Sequence, residues 1–189
     1  FNSLPYMWCE RVFAPWVDME EIMREKRIPL YGLESGDPIK DFDFIGFTLQ
    51  YELSFTNVLN MLDLAGVPLR SEDRGELWPL VVAGGPCACN PEPIADFIDL
   101  FFIGEGEEVD LEVINLYREY KKKHATKQEF LRAAAQIEGV YVPSLYTVDY
   151  HSDGTISSIT PRDGAPATIK KRLIMDLVHL YFPEKFVVP

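Results

Sequence analysis

Histidine and cysteine are scarce in this 189-residue chain, three of each. A zinc site takes about four nitrogen or sulfur ligands in paired spacing, but the histidines stand apart at His124, His151 and His179 and the cysteines at Cys9, Cys87 and Cys89. No metal site is assigned on that spacing. No Cys-x-x-x-Cys-x-x-Cys run is present either, so the chain lacks the thiolates that would hold an iron–sulfur cluster. An odd and sparse set of cysteines is no disulfide framework and suits a reducing compartment. Cys87-Ala88-Cys89 reads as a buried turn of small residues rather than a ligand pair.

Positive charge is also short. The chain has 18 Lys and Arg against 30 Asp and Glu, a net charge of -12, which argues against direct nucleic-acid partners and anionic membrane, both of which call for basic surfaces. The one basic cluster, Lys121 to His124, falls at the end of an expected helix, where cations complement the dipole. No apolar run approaches the ~20 residues that span a bilayer, and the N-terminus lacks the charged-then-apolar pattern of a signal peptide; the chain reads as cytoplasmic. Gly-Lys-Ser/Thr, Gly-x-Ser-x-Gly and His-Glu-x-x-His are all absent. With no nucleophile beside an evident base, no catalytic residue is assigned.

What is present suffices for a core, with 47% hydrophobic residues, 13% of the chain being aromatic. Asp18 as N-cap, Glu21 three residues on and Val17 stapled to Ile22 predict a helix from about Met19 to Lys26, ended by Pro29. Leu30–Leu33 reads as a short strand and Phe42–Leu49 as a buried one. Ser54 is expected to cap a helix with Phe55, Val58, Leu59 and Leu62 on one face, closed by Gly66. Leu80–Ala83 and Leu100–Ile103 read as further buried strands. A short helix capped by Asn90, with Pro91 first, is expected between them. A long helix carrying Val109, Val113, Leu116, Tyr117 and Tyr120 follows. Thr126 and Glu129 form a capping box for a helix to about Ile137, stopped by Gly139. Tyr141-Val142, Leu145–Tyr150 and Ile156–Ile159, with the Ser152-Asp153-Gly154 turn, alternate like an antiparallel hairpin. Pro161–Pro166 reads as a linker and Ile169–Val188 as an extended connection to something beyond.

Strand alternating with helix builds βαβ units. The expected fold is therefore α/β, Rossmann-like and doubly wound with a mainly parallel sheet, plus a small β-rich C-terminal appendix. Residues 1–124 are expected to form the α/β domain and 125–189 a helix, hairpin and linker. Because the chain starts at Phe1, it reads as a piece of a longer protein.

In open parallel sheets, ligands sit at the carboxyl ends of the strands. The residues there are Thr48 and Gln50 after the first core strand, Gly84 and Gly85 after the second, and Gly104, Glu105 and Gly106 after the third. Glycines at such ends let a bulky ligand approach closely, and they equally make tight turns. A dinucleotide or P-loop site is disfavoured: Gly104-Glu105-Gly106 lacks a glycine three residues on, and Glu105, Glu107 and Glu108 place negative charge where phosphates would sit.

Three segments in order carry a family resemblance. Asp43-Phe44-Ile45-Gly46-Phe47-Thr48, the stretch Pro79 to Pro86 with Asn90-Pro91-Glu92-Pro93, and Asp99 to Glu107 ending Gly-Glu-Gly-Glu resemble the cobalamin-binding-type domains of radical SAM proteins. The flanking stretches Glu10–Asp18 and Gln50–Ser54 look like one subgroup of that superfamily, and the resemblance covers about residues 10–120. It implies that Thr48, Gln50, Gly84, Gly85, Gly104, Glu105 and Gly106 lie against cobalamin, with a hydroxyl near its nucleotide tail and the tail passing Gly84-Gly85. It further implies a downstream radical SAM barrel as partner, carrying a [4Fe-4S] cluster and S-adenosylmethionine, and an opening strand before Phe1. The Asp-x-His-x-x-Gly motif that supplies an axial histidine in one branch is absent, as no histidine precedes His124. Two readings follow: an accessory cobalamin-binding domain of a radical SAM Fe-S oxidoreductase, or a degenerate scaffold or docking domain without the cofactor.

Overall fold

A computed structural model describes residues 1–176 and 178. In chain order its regular elements are α1 (Val17–Lys26), β1 (Phe44–Thr48), α2 (Phe55–Ala65), β2 (Leu80–Gly84), β3 (Leu100–Phe102), α3 (Gly106–Lys122), α4 (Lys127–Ala134), β4 (Val140–Tyr141), β5 (Tyr146–Tyr150) and β6 (Ile156–Pro161), with short 3-10 turns between. The four-stranded sheet runs β1-β2-β3-β4. The pairs β1–β2 and β2–β3 are parallel, in register Phe44 with Leu80 and Val82 with Leu100. The fold is thus α/β with a mainly parallel sheet and a small antiparallel β5–β6 sheet, as expected. Strand order advances without reversal among the described residues, so any ligand argument rests on the strand ends alone and not on a switch-point crevice.

The central strand explains its own composition. Leu80, Val81, Val82 and Ala83 are all buried, because β2 has a neighbour on each side and helices cover its faces, and a strand enclosed in that way reads as a continuous apolar run. The α2 residues Val58, Met61, Leu62, Leu64 and Ala65 are buried and share one apolar core with Val109, Val113 and Tyr117 of α3 and Phe130 and Leu131 of α4.

Several local expectations differ from the structure. Helix α1 begins at Val17 with Trp16 at the N-cap position and no side-chain cap. The Glu20 N–H donates to the Trp16 carbonyl, which places Asp18 inside the first turn, where it cannot form a box with Glu21. The Val17–Ile22 staple is not made, as these side chains are 68% and 49% exposed. Leu30–Leu33 is a turn with one isolated Tyr31–Pro38 bridge rather than a strand. Ser54 stands at the N-cap position of α2, as expected, but its side chain makes no cap bond; its hydroxyl donates back to the Tyr51 carbonyl at 2.7 Å. Asn90 caps no helix, and Glu92–Phe97 is a 3-10 segment with Pro91 at its start, too short to settle into α-helical pairing.

The Thr126–Glu129 capping box is present, but α4 ends at Ala134, short of Ile137. Val140–Tyr141 joins the main sheet antiparallel to β3 instead of the hairpin. Its neighbours Phe101 and Tyr141 stack at 6.1 Å, so burial outcompetes the local alternation. Of the expected Ile169–Val188 connection, residue 177 and residues beyond 178 lie outside the described residues.

Candidate functional site

The acidic residues that open the strand motifs sit at the amino ends of their strands, away from the carboxyl edge. Asp99 is 1% exposed and is the hub of a buried network. Its carboxylate accepts from the Val81 N–H at 2.7 Å and from the Ser71 hydroxyl, and pairs with Arg74 at 3.1 Å and Lys127 at 2.7 Å. Arg74 spends its remaining donors on the carbonyls of Pro68, Leu69 and Phe97. Burial pushes the Lys127 ammonium below its ordinary pKa even though Asp99 faces it. Its acceptors, the carbonyls of Ser71 at 3.0 Å and Arg74 at 2.7 Å together with Asp99, nevertheless match the three donors of a protonated amine. Asp43 similarly accepts from the Tyr117 hydroxyl at 2.6 Å and pairs with Lys121, tying α3 to the start of β1. Glu92 accepts from the Tyr141 hydroxyl. These motif acids serve the packing of the domain.

The carboxyl edge of the sheet holds the residues singled out from sequence. Thr48 and Gln50 are exposed at the end of β1, and Gly84 is half-buried at the end of β2. Thr48 stands in register with Gly84, so two of the expected residues do meet. Gly85 (φ +95°) explains itself without a ligand. A Cβ there would stand 2.9 Å from the Leu49 carbonyl oxygen and 3.1 Å from its nitrogen, because the loops after β1 and β2 are stitched by Leu49 N–H to Gly84 O at 2.8 Å and Cys87 N–H to Leu49 O at 3.0 Å.

Gly104 (φ +117°) is filled in the same sense, from farther along the chain. Its Cβ would lie 2.2 Å from the carbonyl oxygen of Arg172. The segment around Arg172 runs across the end of β3 as a strap. The Arg172 N–H donates to Ile103 O at 2.8 Å, the Glu105 N–H donates to Arg172 O at 3.1 Å, and the Ile174 N–H donates to the Glu105 carboxylate. The Arg172 guanidinium pairs with Glu108 at 2.9 Å and Glu112 at 2.5 Å. Gly106 opens α3, and a Cβ on it would meet the Asp110 carboxylate at 3.1 Å.

Arg172 and Asp110 escaped sequence reasoning, and Glu52, which stands just after the first core strand, was assigned no role. Glu52 faces Cys87, and burial followed by that carboxylate pushes the thiol's pKa up, which holds it protonated and poorly nucleophilic. Arg172 had no local signal, since its partners lie 64 and 60 residues earlier. Asp110, in the second turn of α3, has no hydrogen-bond or ion-pair partner among the described residues, and burial, then Glu107, raises its pKa from 3.8 to about 6.

That shift yields a prediction. A carboxyl group whose folded pKa is raised contributes most to stability below its unfolded value, near 3.8, and that contribution is lost as pH rises through about 6. Asp110→Asn is therefore expected to stabilise the domain at pH 7 by about 1–3 kcal/mol, the upper figure from the size of the shift and the lower from the offsetting field of the helix N-terminus. Urea melts of both proteins at pH 4 and pH 7 check it; an equal difference at the two pH values would contradict it.

No group of three or more His, Cys, Asp or Glu among the described residues is arranged to hold a metal ion. His124 follows α3 and His151 lies in the β5–β6 turn, both far along the chain from the carboxyl ends of β1, β2 and β3. The space that a Cβ would occupy at Gly85 and Gly104 is taken by the backbones of Leu49 and Arg172. Two concavities among the described residues lie away from the strand ends. One of about 640 Å³ is bounded by Tyr120, Lys123, His124 and Arg132, and one of about 230 Å³ by Met23, Arg27, Lys40 and Asp63.

The chain is thus a mainly parallel α/β domain in which Asp43 and Asp99 make internal bonds and Gly85 and Gly104 stand against its own backbone. The chain matches, over residues 1–143, the family described as "Radical SAM proteins, N-terminal", and it belongs to that family. It is also 37% identical over 115 residues to an uncharacterized protein of Methanocaldococcus jannaschii, a stretch that covers 56% of this chain and 24% of that protein. The match thus spans about a quarter of the relative's length. No solved structure matches the chain. No helix among the described residues is long and apolar enough to cross a membrane.

Proposed function

We propose that this domain is a non-catalytic scaffold of a radical SAM protein, a docking surface for the rest of its polypeptide rather than a carrier of cobalamin. The observation that carries the reading is the filling of the two strand-end glycines by protein backbone, Gly85 by Leu49 and Gly104 by Arg172. A ligand-approach glycine faces open space or a groove; a Cβ on either of these would meet a carbonyl oxygen inside van der Waals distance. The downstream part of the parent would then supply the [4Fe-4S] cluster and S-adenosylmethionine, and with them the radical chemistry. This domain's own residues contribute position: Asp99, Arg74 and Lys127 fix the sheet, and Glu105, Glu108 and Glu112 fix the path of the segment that leaves it.

The test is a titration of aquacobalamin into this chain and into the full-length parent, followed by absorbance and by retention on gel filtration. Neither protein is expected to retain the cofactor or shift its spectrum. Stoichiometric retention by the parent, lost on Thr48→Val or Gln50→Ala at the two exposed strand-end positions, would overturn the scaffold reading in favour of a cobalamin site.

A further inference from the structure

The strap across β3 has the form of a bound ligand rather than of a loop. Residues 172–174 are extended against the turn after β3, with backbone bonds at Ile103, Glu105 and Arg172. Their side chains alternate. Arg172 is turned in, 18% exposed at its side chain, and Ile174 is buried at 9%, whereas Leu173 and Met175 face out at 52% and 91%. This is the pattern of β-strand addition, in which main-chain bonds hold an extended peptide and pockets read alternate side chains.

The receiving surface is built for that occupant in three ways. Glu108 and Glu112, one helical turn apart on α3, both reach the same guanidinium nitrogen, at 2.9 and 2.5 Å. The Glu105 carboxylate, at the head of α3, accepts the Ile174 N–H. Gly104 and Gly139 lack the side chains that would bar the way, since a Cβ on the first would lie 2.2 Å from Arg172 O and on the second 2.8 Å from Arg172 Cβ. The two glycines and the buried Ile174 are observations independent of the acidic cluster, and they point to the same occupant.

We propose that Gly104, Glu105, Glu108, Glu112 and Gly139 form a binding site for an extended segment of the type arginine-x-aliphatic, which residues 172–174 of this chain occupy in cis. The inference rests on the docking reading above and gives that docking its chemistry. The occupant is exchangeable in principle, because its bonds are those of a surface strand, one ion-pair cluster and a single buried aliphatic side chain.

A peptide of residues 167–175 is titrated into the chain carrying Arg172→Ala and Ile174→Ala, with amide chemical shifts as the readout. Saturable binding is expected, with shifts concentrated at Gly104, Glu105 and Gly139. Affinity should fall about ten-fold or more when the peptide carries Arg172→Gln or the protein carries Glu108→Gln with Glu112→Gln, because a charged hydrogen bond is lost. Absence of binding, or binding indifferent to these changes, would overturn the proposal. If the doubly substituted chain does not fold, hydrogen exchange on the otherwise unaltered chain serves instead. Glu108→Gln with Glu112→Gln should then speed exchange at Arg172 and Ile174 about ten-fold while leaving β2 unchanged; equal rates would overturn the proposal. Peptide indifference leaves the scaffold reading standing, whereas cobalamin retention by the parent removes that reading, so the two failures are distinguishable.

Discussion

Asp99→Ala is expected to abolish cooperative folding of the domain, or to leave it with a small fraction of its stability. The carboxylate is buried and collects five donors from four residues: the Val81 N–H, the Ser71 hydroxyl, two nitrogens of Arg74 and the ammonium of Lys127. Alanine would leave Arg74 and Lys127, 5% and 4% exposed, as like charges facing one another without a counter-ion. Removing one partner of a buried ion pair costs about 3–5 kcal/mol, a large part of the about 5–15 kcal/mol that stabilises a domain. Two cations depend on this one anion, so the upper part of the range applies. Asp99→Asn keeps the shape and an acceptor for Val81 but not the charge, and should fall between alanine and the native residue. Urea denaturation followed by circular dichroism measures both; a loss below about 1 kcal/mol for alanine, the scale of an exposed pair, would show that the network contributes little.

Gly104→Val is expected to lift the strap while leaving the sheet intact. Two effects combine at this position. The backbone angle, φ +117°, is one that side-chain-bearing residues rarely adopt, and the added Cβ would stand 2.2 Å from Arg172 O and 2.7 Å from Arg172 N. The backbone term costs about 1–3 kcal/mol. The clash has no such limit, because both atoms it meets are main chain and cannot rotate away, so the strap must leave. Gly36→Ala is the control: its φ is +79° with nothing within 4 Å of the new methyl group, so it carries a strain of backbone alone. Hydrogen exchange should show residues 172–174 unprotected in Gly104→Val and protected in Gly36→Ala, with β2 protected in both. Retained protection across the strap in Gly104→Val would mean that the turn can relax around a side chain.

The three parallel strands were legible because each is a short apolar run closed by turn residues, and burial on both faces of β2 leaves little room for polar alternation. The Thr126–Glu129 cap was legible because both partners lie within one turn of each other. Ser54 marked the start of α2 correctly, though without a side-chain cap, whereas Asp18 carried the same kind of local signal and misled, since the actual start of a helix depends on where the preceding chain can turn in, at Trp16 for α1. Val140–Tyr141 misled for a related reason. A two-residue strand has almost no intrinsic preference, and the open edge of β3 decided its pairing.

For the site, the sequence by itself determined which residues stand at the strand ends, that no cysteine cluster motif is present, and that Gly85 and Gly104 needed either a sharp turn or a close neighbour. Only the tertiary structure decided which neighbour. Asp99 finds Arg74 and Ser71 at separations of 25 and 28 residues, and Arg172 finds Glu108 and Glu112 at 64 and 60; charges that far apart carry no periodicity to read. A glycine records that space beside its α-carbon is required, but not whether a ligand or the chain itself takes that space. Here the backbones of Leu49 and Arg172 take it, because the loop after β1 and the strap beyond β6 fold back over the ends of the sheet.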